Sequence, residues 1–286
     1  MAFAQRIIFL LFCVTVSFGQ RIPQSLFEPI KMTADQEIRI QQLDTIAEKT
    51  QEQQEELALL FAATASYENS FVLLDALSDE YPDNFDYQFL LGGISGILAS
   101  ELPTTKSLSY VRAMKSAFEM AEQLNPNSIE VQMILLELYT ELPWVLGGSN
   151  KKAKEKLEVI KSLSVIEGFL SEGFFNRSSK KNKEALVAYL NAINEVQLCG
   201  DLPVGLQQDS YYHLGVLAFY LQKDTVKAAC LFSKFIEVHD NGAAYPKSFA
   251  KHYLSKISNP EKMDTEMEDI LIQYDKLTSW IQNNFK

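Results

Sequence analysis

Histidine and cysteine, which often bind metals or take part in nucleophilic catalysis, are scarce in this chain of 286 residues, with three of each. His213, His239 and His252 stand apart and form no His-x-x-x-His or Glu-x-x-His spacing, so we expect structural histidines and no metal site. Gly-x-Ser-x-Gly, Walker and dinucleotide-binding motifs are also missing. These absences favour a protein that is not an enzyme and that needs no cofactor.

Basic residues are outnumbered, because 26 Lys and Arg stand against 37 Asp and Glu and give a formal net charge of -11. Nucleic acid and anionic membranes are therefore poor partners. The acidic excess has two interpretations. It keeps the protein soluble, which we favour, or it belongs to an acidic groove for a basic ligand.

The N-terminus carries an apolar stretch that is too short for a membrane span. After Arg6, an apolar run of 12 residues occupies positions 7–18. A bilayer core of about 30 Å requires roughly 20 residues, so this run indicates a cleaved signal peptide. We predict a signal peptide at residues 1–19, cleavage before Gln20, and an exported, periplasmic protein that is soluble and has no integral membrane span.

Glycine and proline are also few, at 12 and 9 residues, and no Gly/Ser/Pro-rich linker divides the chain. With 47% hydrophobic residues, the sequence can bury a large core. One continuous structure is therefore the simplest prediction.

The stretch from residue 168 to 195 has the pattern of two short helices joined by a turn. Its predicted buried positions follow helical spacing and alternate between small and large side chains. They are Phe169, Gly173 and Phe174 on the first helix and Ala185, Tyr189 and Ala192 on the second. Two helices cross closely only where one supplies Gly or Ala, and such a pair must stack on a neighbour to bury its second face.

Three glycines in another predicted helix suggest the same kind of packing. Gly92, Gly93 and Gly96 each cost roughly 1 kcal/mol relative to Ala in a helix interior. Leu and Ile fill the intervening positions, so we attribute these glycines to close helix contact, with local flexibility as the alternative.

The spacing of Gly173, Ala185, Tyr189 and Ala192 resembles the tetratricopeptide repeat, whose period is about 34 residues. Similar arrangements recur at Tyr211, Leu214, Gly215, Ala228, Phe232 and Phe235, and at Met114, Phe118 and Ala121 before Asn125-Pro126-Asn127; Tyr81-Pro82-Asp83-Asn84 closes an earlier pair. Phe235 departs from the family, which prefers Ala there. The resemblance covers roughly residues 50–257 and implies a superhelical solenoid of antiparallel helix pairs.

The end of the chain has the pattern of a terminal helix. Asn259-Pro260 is a suitable helix start, and apolar residues then recur three or four apart over residues 263–281, opposite a face of Glu, Asp, Lys and Gln. A solenoid needs such a one-sided helix to cover its exposed core. Along the chain we predict four segments: a signal peptide at 1–19, an extended lead-in at 20–33, tetratricopeptide-like repeats at 34–258 and a C-terminal capping helix at 259–286.

Two predicted turns are longer than those of the repeat. They lie between Ser100 and Ser109 and between Glu141 and Asn150, and insertions of this kind gather on one edge of a solenoid, where they often form a binding face. The second turn contains the run Pro-Trp-Val-Leu-Gly-Gly-Ser. It is similar to a loop in extracytoplasmic tetratricopeptide proteins, including subunits associated with TRAP-type transporters.

The same turn has a structural interpretation, which we favour. Trp144 and Leu146 fold back as a plug under the loop, since an apolar loop of this size rarely stays exposed without a partner. Gly147 and Gly148 then supply unusual dihedral angles, and one of the two residues that follow caps the next helix.

These features predict an exported tetratricopeptide-repeat scaffold that binds a protein or peptide partner and has no catalytic activity. The candidate contact residues are Trp144, Val145 and Leu146 in the loop, together with Tyr211 and Tyr212. The two tyrosines are adjacent and face different directions, so at least one is expected to lie off the core stripe. The alternative is a protein that encloses a small apolar ligand and works with an envelope transport system, as the resemblance to transporter-associated subunits implies.

The cysteines carry a separate prediction. Cys13 lies in the signal peptide, where Phe12 disfavours lipidation because a small residue is needed at that position. In the repeat register Cys199 and Cys230 are offset by about 12 residues, or roughly 18 Å, along stacked helices, whereas a disulfide needs Cα atoms within about 7 Å. We predict that the two are not bonded to each other, with Cys230 a small buried core residue and Cys199 a loop thiol.

Overall fold

The computed structural model describes residues 26–27, 31–101, 104–196, 205–240, 243–261 and 264–285. Over these ranges the chain forms fourteen α-helices and no β-strand, so the all-α prediction is confirmed. The helices are α1 (Ala34–Asp44), α2 (Gln51–Ala63), α3 (Tyr67–Glu80), α4 (Phe85–Glu101), α5 (Thr104–Leu124), α6 (Ile129–Glu141), α7 (Asn150–Leu163), α8 (Val165–Ser178), α9 (Asn182–Asn194), α10 (Gln208–Leu217), α11 (Thr225–Val238), α12 (Lys247–Ser258), α13 (Thr265–Tyr274) and α14 (Lys276–Asn284).

Helices that follow each other in the chain pack against each other, as α4 does with α5 and α8 with α9. Their buried apolar side chains form three clusters that overlap in chain order. The clusters extend from Ala58 to Ala117, from Phe89 to Phe175 and from Ile166 to Ile281. A core that moves along the sequence in this way fits a helical solenoid, in which each unit contacts its neighbours.

Three helix pairs share one close contact between a glycine on the first helix and an aromatic ring on the second. A Cβ added to the glycine would lie within 3 Å of the ring, at 2.9 Å for Gly92 and Phe118, 2.3 Å for Gly173 and Tyr189, and 2.7 Å for Gly215 and Phe232. The prediction that close packing explains the glycine of α4 at position 92 is thereby confirmed. The helix pair predicted within residues 168–195 is present as α8 and α9, with its turn at residues 179–181.

The long turn predicted between Ser100 and Ser109 is wrong. Helix α4 continues to Glu101 and α5 begins at Thr104. Ser107 is buried within α5, one turn before Val111. The buried face of α5 therefore includes a serine. Because the apolar pattern is interrupted there, the start of the helix could not be identified from the sequence.

The single helix predicted at the end of the chain is also wrong. Two helices, α13 and α14, are separated by Asp275, whose backbone is extended with φ -89° and ψ 99°. Helix α13 starts at Thr265, after Asp264 and not at Asn259-Pro260, because the Asp264 carboxylate accepts a hydrogen bond from Met267 N at 3.1 Å.

At the other end of the described chain, Thr33 caps α1. Its side chain and that of Gln36 bond to each other's backbone N–H groups in a capping box. The predicted signal peptide, the cleavage site before Gln20 and most of the lead-in lie outside the described residues. None of the helices in the described ranges combines the length and the apolarity that a membrane crossing requires.

Cys230 differs from its prediction. It lies half-buried on α11 and is disulfide-bonded, so the expectation of a buried residue without a bond is wrong. The two other cysteines of the chain, Cys13 and Cys199, lie outside the described residues.

Candidate functional site

The loop between α6 and α7 is tied down along its length. Three backbone hydrogen bonds of 2.9–3.1 Å close a 3-10 turn within residues 143–148. Ser149 N donates to Tyr139 O at 2.8 Å, which joins the end of the loop to α6. The Ser149 hydroxyl accepts from Lys152 N at 3.3 Å and caps α7, one of the two predicted caps.

Two glycines determine the path of this loop. Gly147 has φ +95°, in the left-handed region that a residue with a Cβ rarely adopts. A Cβ on Gly148 would lie 1.7 Å from the carbonyl oxygen of Leu142, so only glycine fits there. The predicted unusual dihedral is confirmed at Gly147, while Gly148 is needed for a close approach between backbone segments.

The loop directs two of its apolar side chains away from the core. Trp144 is 84% exposed and Val145 is 65% exposed. Leu146 is half-buried and packs on the second core cluster. The predicted plug is therefore wrong for Trp144 and correct only for Leu146, because a 3-10 turn of three residues places one side chain inward and leaves the other two outside.

Charged side chains beside the loop are paired through one glutamate. Glu119 accepts hydrogen bonds from Lys115 at 3.1 Å, Lys152 at 3.2 Å and the Tyr139 hydroxyl at 2.6 Å. Burial raises the pKa of the Glu119 carboxyl, but these bonds outweigh it and leave the pKa below its usual value. Trp144 and Val145 thus form an exposed apolar surface beside charged side chains that are paired with one another.

Tyr211 and Tyr212 lie elsewhere, on α10, and are 3% and 0% exposed. The Tyr212 hydroxyl donates to Asp275 at 2.8 Å, and its ring stacks on Tyr245 at 4.4 Å. The expectation that one of the two tyrosines lies off the core stripe is wrong, since both rings pack inside the third core cluster. The structure therefore brings Trp144, Val145 and Leu146 together and leaves the tyrosines in the core.

A second polar arrangement joins residues from α6, α8, α10 and α14, which we call the polar cluster. Its members are all half-buried, and four of them lie within electrostatic reach of the first: Glu137, Glu141, Arg177, Asp209 and Lys276. His213 lies beside it, and burial and the charge of Arg177 lower the pKa of this histidine to about 3.

Glu167 and Asp209 in this region accept hydrogen bonds, whereas Glu137 accepts none from the described residues. Glu167 accepts from Gln207 N at 2.8 Å and from the Ser210 hydroxyl at 2.7 Å, and Asp209 accepts from Ala244 N at 2.9 Å. Glu137 makes no hydrogen bond to any described residue, and burial, reinforced by Glu141, raises its pKa to about 8. A carboxyl in this state is protonated at neutral pH.

The histidines hold structural positions. The Nε2 atoms of His213, His239 and His252 lie 2.9–3.0 Å from the Tyr245 hydroxyl, the Tyr245 carbonyl and Glu268, respectively. Within the described ranges, no group of three or more His, Cys, Asp and Glu side chains is arranged to hold a metal ion.

Sequence reasoning missed the polar cluster, although one signal was present. Glu137 interrupts the apolar run from Met133 to Tyr139, and a lone charge within a buried stripe often has a function. The chain matches no protein-family model and no curated protein.

Proposed function

We propose that the protein is an exported, tetratricopeptide-like scaffold that binds a protein or peptide partner through the loop that carries Trp144 and Val145. In this proposal the helix pairs form a superhelical solenoid, which α13 and α14 cap. The observation that carries it is the exposure of Trp144, 84% on a loop whose backbone is held by hydrogen bonds.

An exposed tryptophan on a constrained loop fits a binding role. Exposed aromatic anchors are enriched among the few residues that dominate the energy of protein interfaces. A constrained loop loses little conformational entropy when it binds, so more of the contact energy remains as affinity. The paired charges of Lys115, Glu119 and Lys152 offer a partner polar contacts around an apolar centre.

Binding without catalysis agrees with the sequence, which has none of the nucleophile, phosphate-loop or dinucleotide motifs considered above. Export agrees with the apolar run at residues 7–18. N-terminal sequencing of protein from the native host should give Gln20 as the first residue. An N-terminus at Met1 in cytosolic protein would contradict export.

The loop contact is tested with the variant Trp144→Ser/Val145→Ser. A photo-crosslinking amino acid at position 144 should capture a discrete partner, and the double variant should lose that partner in pull-downs with an unchanged melting temperature. Val187→Ser is the matched control, because Val187 is 58% exposed on α9. Retention of every partner by the double variant, with a lower melting temperature, would make the loop a structural feature.

The alternative proposal is a small-ligand binding protein that works with an envelope transport system. The polar cluster supports it, because Arg177 and Lys276 are half-buried there and form no ion pair with a described residue, which fits a charged ligand. Native mass spectrometry of protein purified without denaturant separates the two functions, since a bound small mass favours the alternative and a captured macromolecule favours the scaffold.

A further inference from the structure

The exposed pair of Trp144 and Val145 stands beside a lysine that reaches it from α5. A Cβ added to Gly147 would lie 2.6 Å from Cε and 3.1 Å from Nζ of Lys115. Gly147 N in turn donates to the carbonyl oxygen of Trp144 at 3.0 Å. The Lys115 ammonium group therefore lies at the end of the three-residue turn that carries the two exposed apolar side chains.

A second lysine is fixed where the loop joins α7. Lys152 N donates to the Ser149 hydroxyl at 3.3 Å, and its ammonium group lies 4.9 Å from the centre of the Tyr139 ring. Lys152 and Lys115 both bond to the carboxylate of Glu119, at 3.2 and 3.1 Å. One carboxylate thus serves two ammonium groups, so that one positive charge remains beside the loop.

Two further lysines, Lys151 and Lys154, follow in the first two turns of α7. Both are exposed, and neither side chain forms a hydrogen bond or an ion pair with a described residue. Residues 142–154 contain three lysines and no acid, whereas the whole chain has a formal net charge of -11. Even when the next residue, Glu155, is added to the groups described above, four lysines face two glutamates around the loop. The positive end of the α7 dipole adds to this charge.

We propose that the partner contacts this loop with an acidic and apolar segment, in which a large apolar side chain is flanked by Asp or Glu. This inference rests on the proposed function, because it names the chemistry that the loop recognises. The apolar side chain packs on the exposed indole of Trp144, and the flanking carboxylates approach Lys151 and Lys154. Lysine suits this task because its ammonium group is a point charge on a flexible stem, which carboxylates at several positions can reach.

An anionic membrane carries the same negative charge but fits this surface less well. Two apolar side chains on a turn of three residues bury little area in a bilayer, whereas helices that bind membrane surfaces bury a whole face. An extended anionic surface also meets the acidic remainder of the chain, whose formal net charge of -11 opposes adsorption. A short acidic segment contacts only the positive part of the protein and avoids that repulsion.

Selection of short random peptides displayed on phage tests this chemistry. The full mature chain is the bait, and peptides that also bind the Trp144→Ser/Val145→Ser variant are removed. The retained peptides should be enriched in Asp and Glu next to Trp, Phe or Leu. A synthetic copy of the most enriched peptide should bind roughly fivefold more weakly when its Asp and Glu are changed to Asn and Gln, because exposed ion pairs are lost.

The lysines are tested with that same peptide. Lys151→Gln/Lys154→Gln should weaken its binding roughly fivefold at low salt, and the difference from the wild type should shrink at high salt, which screens exposed charges. Lys183→Gln/Val187→Ser is the matched control, because both residues are exposed on α9, and it should leave the affinity unchanged. Both double variants change exposed side chains and should keep the melting temperature of the wild type.

The outcomes separate this inference from the proposed function. Enriched peptides that are neutral or basic but still need Trp144 and Val145 would overturn the acidic segment and leave the loop as the contact surface. An absence of peptides that distinguish the wild type from Trp144→Ser/Val145→Ser would contradict both.

Vesicles of phosphatidylethanolamine with about one quarter phosphatidylglycerol provide the membrane comparison. The wild type should remain in solution when these vesicles are sedimented. Sedimentation of the wild type with them, lost in Lys151→Gln/Lys154→Gln, would identify a lipid surface as the occupant of the loop and overturn the proposal.

Discussion

At the scale of single residues, a small residue is required where a large side chain packs directly against it. Gly173 faces the Tyr189 ring at a distance that leaves no room for a methyl group. Tyr189 cannot withdraw easily, because it is buried and packs edge-on against Trp280 at 5.5 Å. The α8–α9 contact therefore depends on glycine at this position.

Gly173→Ala should lower the free energy of unfolding by about 1–3 kcal/mol, the usual cost of overpacking. Denaturant titration measures it, and Val187→Ala on the exposed side of α9 serves as the control, with an expected change within about 0.5 kcal/mol. A Gly173→Ala variant as stable as wild type would mean that the two helices can separate without cost.

Glu137 makes the stability of the protein depend on pH. Its pKa is raised from 4.5 to about 8, so the folded state binds the proton more tightly than the unfolded chain does. The stability from this group is complete below the unfolded pKa and is lost as the pH rises through about 8.

The melting temperature of Glu137→Gln should therefore fall less than that of the wild type as the pH rises from about 5 to about 9. Burial also raises the pKa values of Glu167 and Asp209 to about 7. Part of the fall in melting temperature should therefore remain in both proteins. Glu158→Gln, an exposed change on α7, should follow the wild-type curve. Parallel curves for wild type and Glu137→Gln would show that Glu137 is ionised at neutral pH.

At the scale of elements, Asp275 explains why the last helix divides in two. Its carboxylate accepts from Leu277 N at 2.9 Å and Thr278 N at 3.2 Å, which begins α14. The Thr278 and Tyr212 hydroxyls donate to its other oxygen at 2.6 and 2.8 Å. One buried acid thus starts a helix and fastens it to α10.

Asp275→Ala should cost about 2–4 kcal/mol, the sum of a lost cap and the unpaired hydroxyls. Tyr212→Phe should cost about 1 kcal/mol, and the double variant should cost less than the two single changes together. Asp224→Ala removes a cap of α11 that is not fully buried and should cost about 1 kcal/mol. If the free-energy costs of Asp275→Ala and Tyr212→Phe simply add in the double variant, Asp275 and Tyr212 do not connect α10 to α14.

The sequence was informative about elements whose partners are close in the chain. Gly173 and Tyr189 belong to consecutive helices, so helical spacing alone predicts their contact. Asp275 escaped notice because the apolar period from Leu271 to Ile281 continues through a break of one residue. Tyr212 was misjudged because its partner Asp275 is 63 positions away, and the polar cluster also combines helices that are far apart in the chain.

The direction of Trp144 could not be predicted for a different reason. Periodicity identifies the buried face of a helix, but a turn of three residues has no period from which to infer a face. The glycines beside it were recognisable as loop residues, and Gly147 adopted the expected left-handed conformation. Which of the three apolar side chains enters the core depends on the position of α5 and α6 beneath the loop.

At the scale of the whole molecule, the core is distributed over three overlapping clusters and has no single centre. A covalent link at Cys230 strengthens one part of such a chain by restricting its unfolded state. Cys230→Ser should lower the free energy of unfolding by about 2–4 kcal/mol, the typical effect of losing a disulfide.

Mass analysis of non-reduced, alkylated peptides checks the bond directly. The peptide that contains Cys230 should be cross-linked and should be released by reduction, and its partner peptide identifies Cys13 or Cys199. In protein that has lost its signal peptide, a link to the Cys199 peptide would show that the predicted absence of a bond between Cys199 and Cys230 is wrong. Alkylation of Cys230 without prior reduction would exclude the bond.

The two tryptophans of the chain occupy opposite environments, and this gives the molecule two optical reporters. Trp144 stands in solvent, whereas the Trp280 indole donates to Asn182 at 2.9 Å and packs on Tyr189. Iodide should quench the red-shifted emission of the first and spare the second. Trp144→Phe then leaves one emitter that follows the docking of α14, while Trp280→Phe leaves one that follows occupancy of the loop.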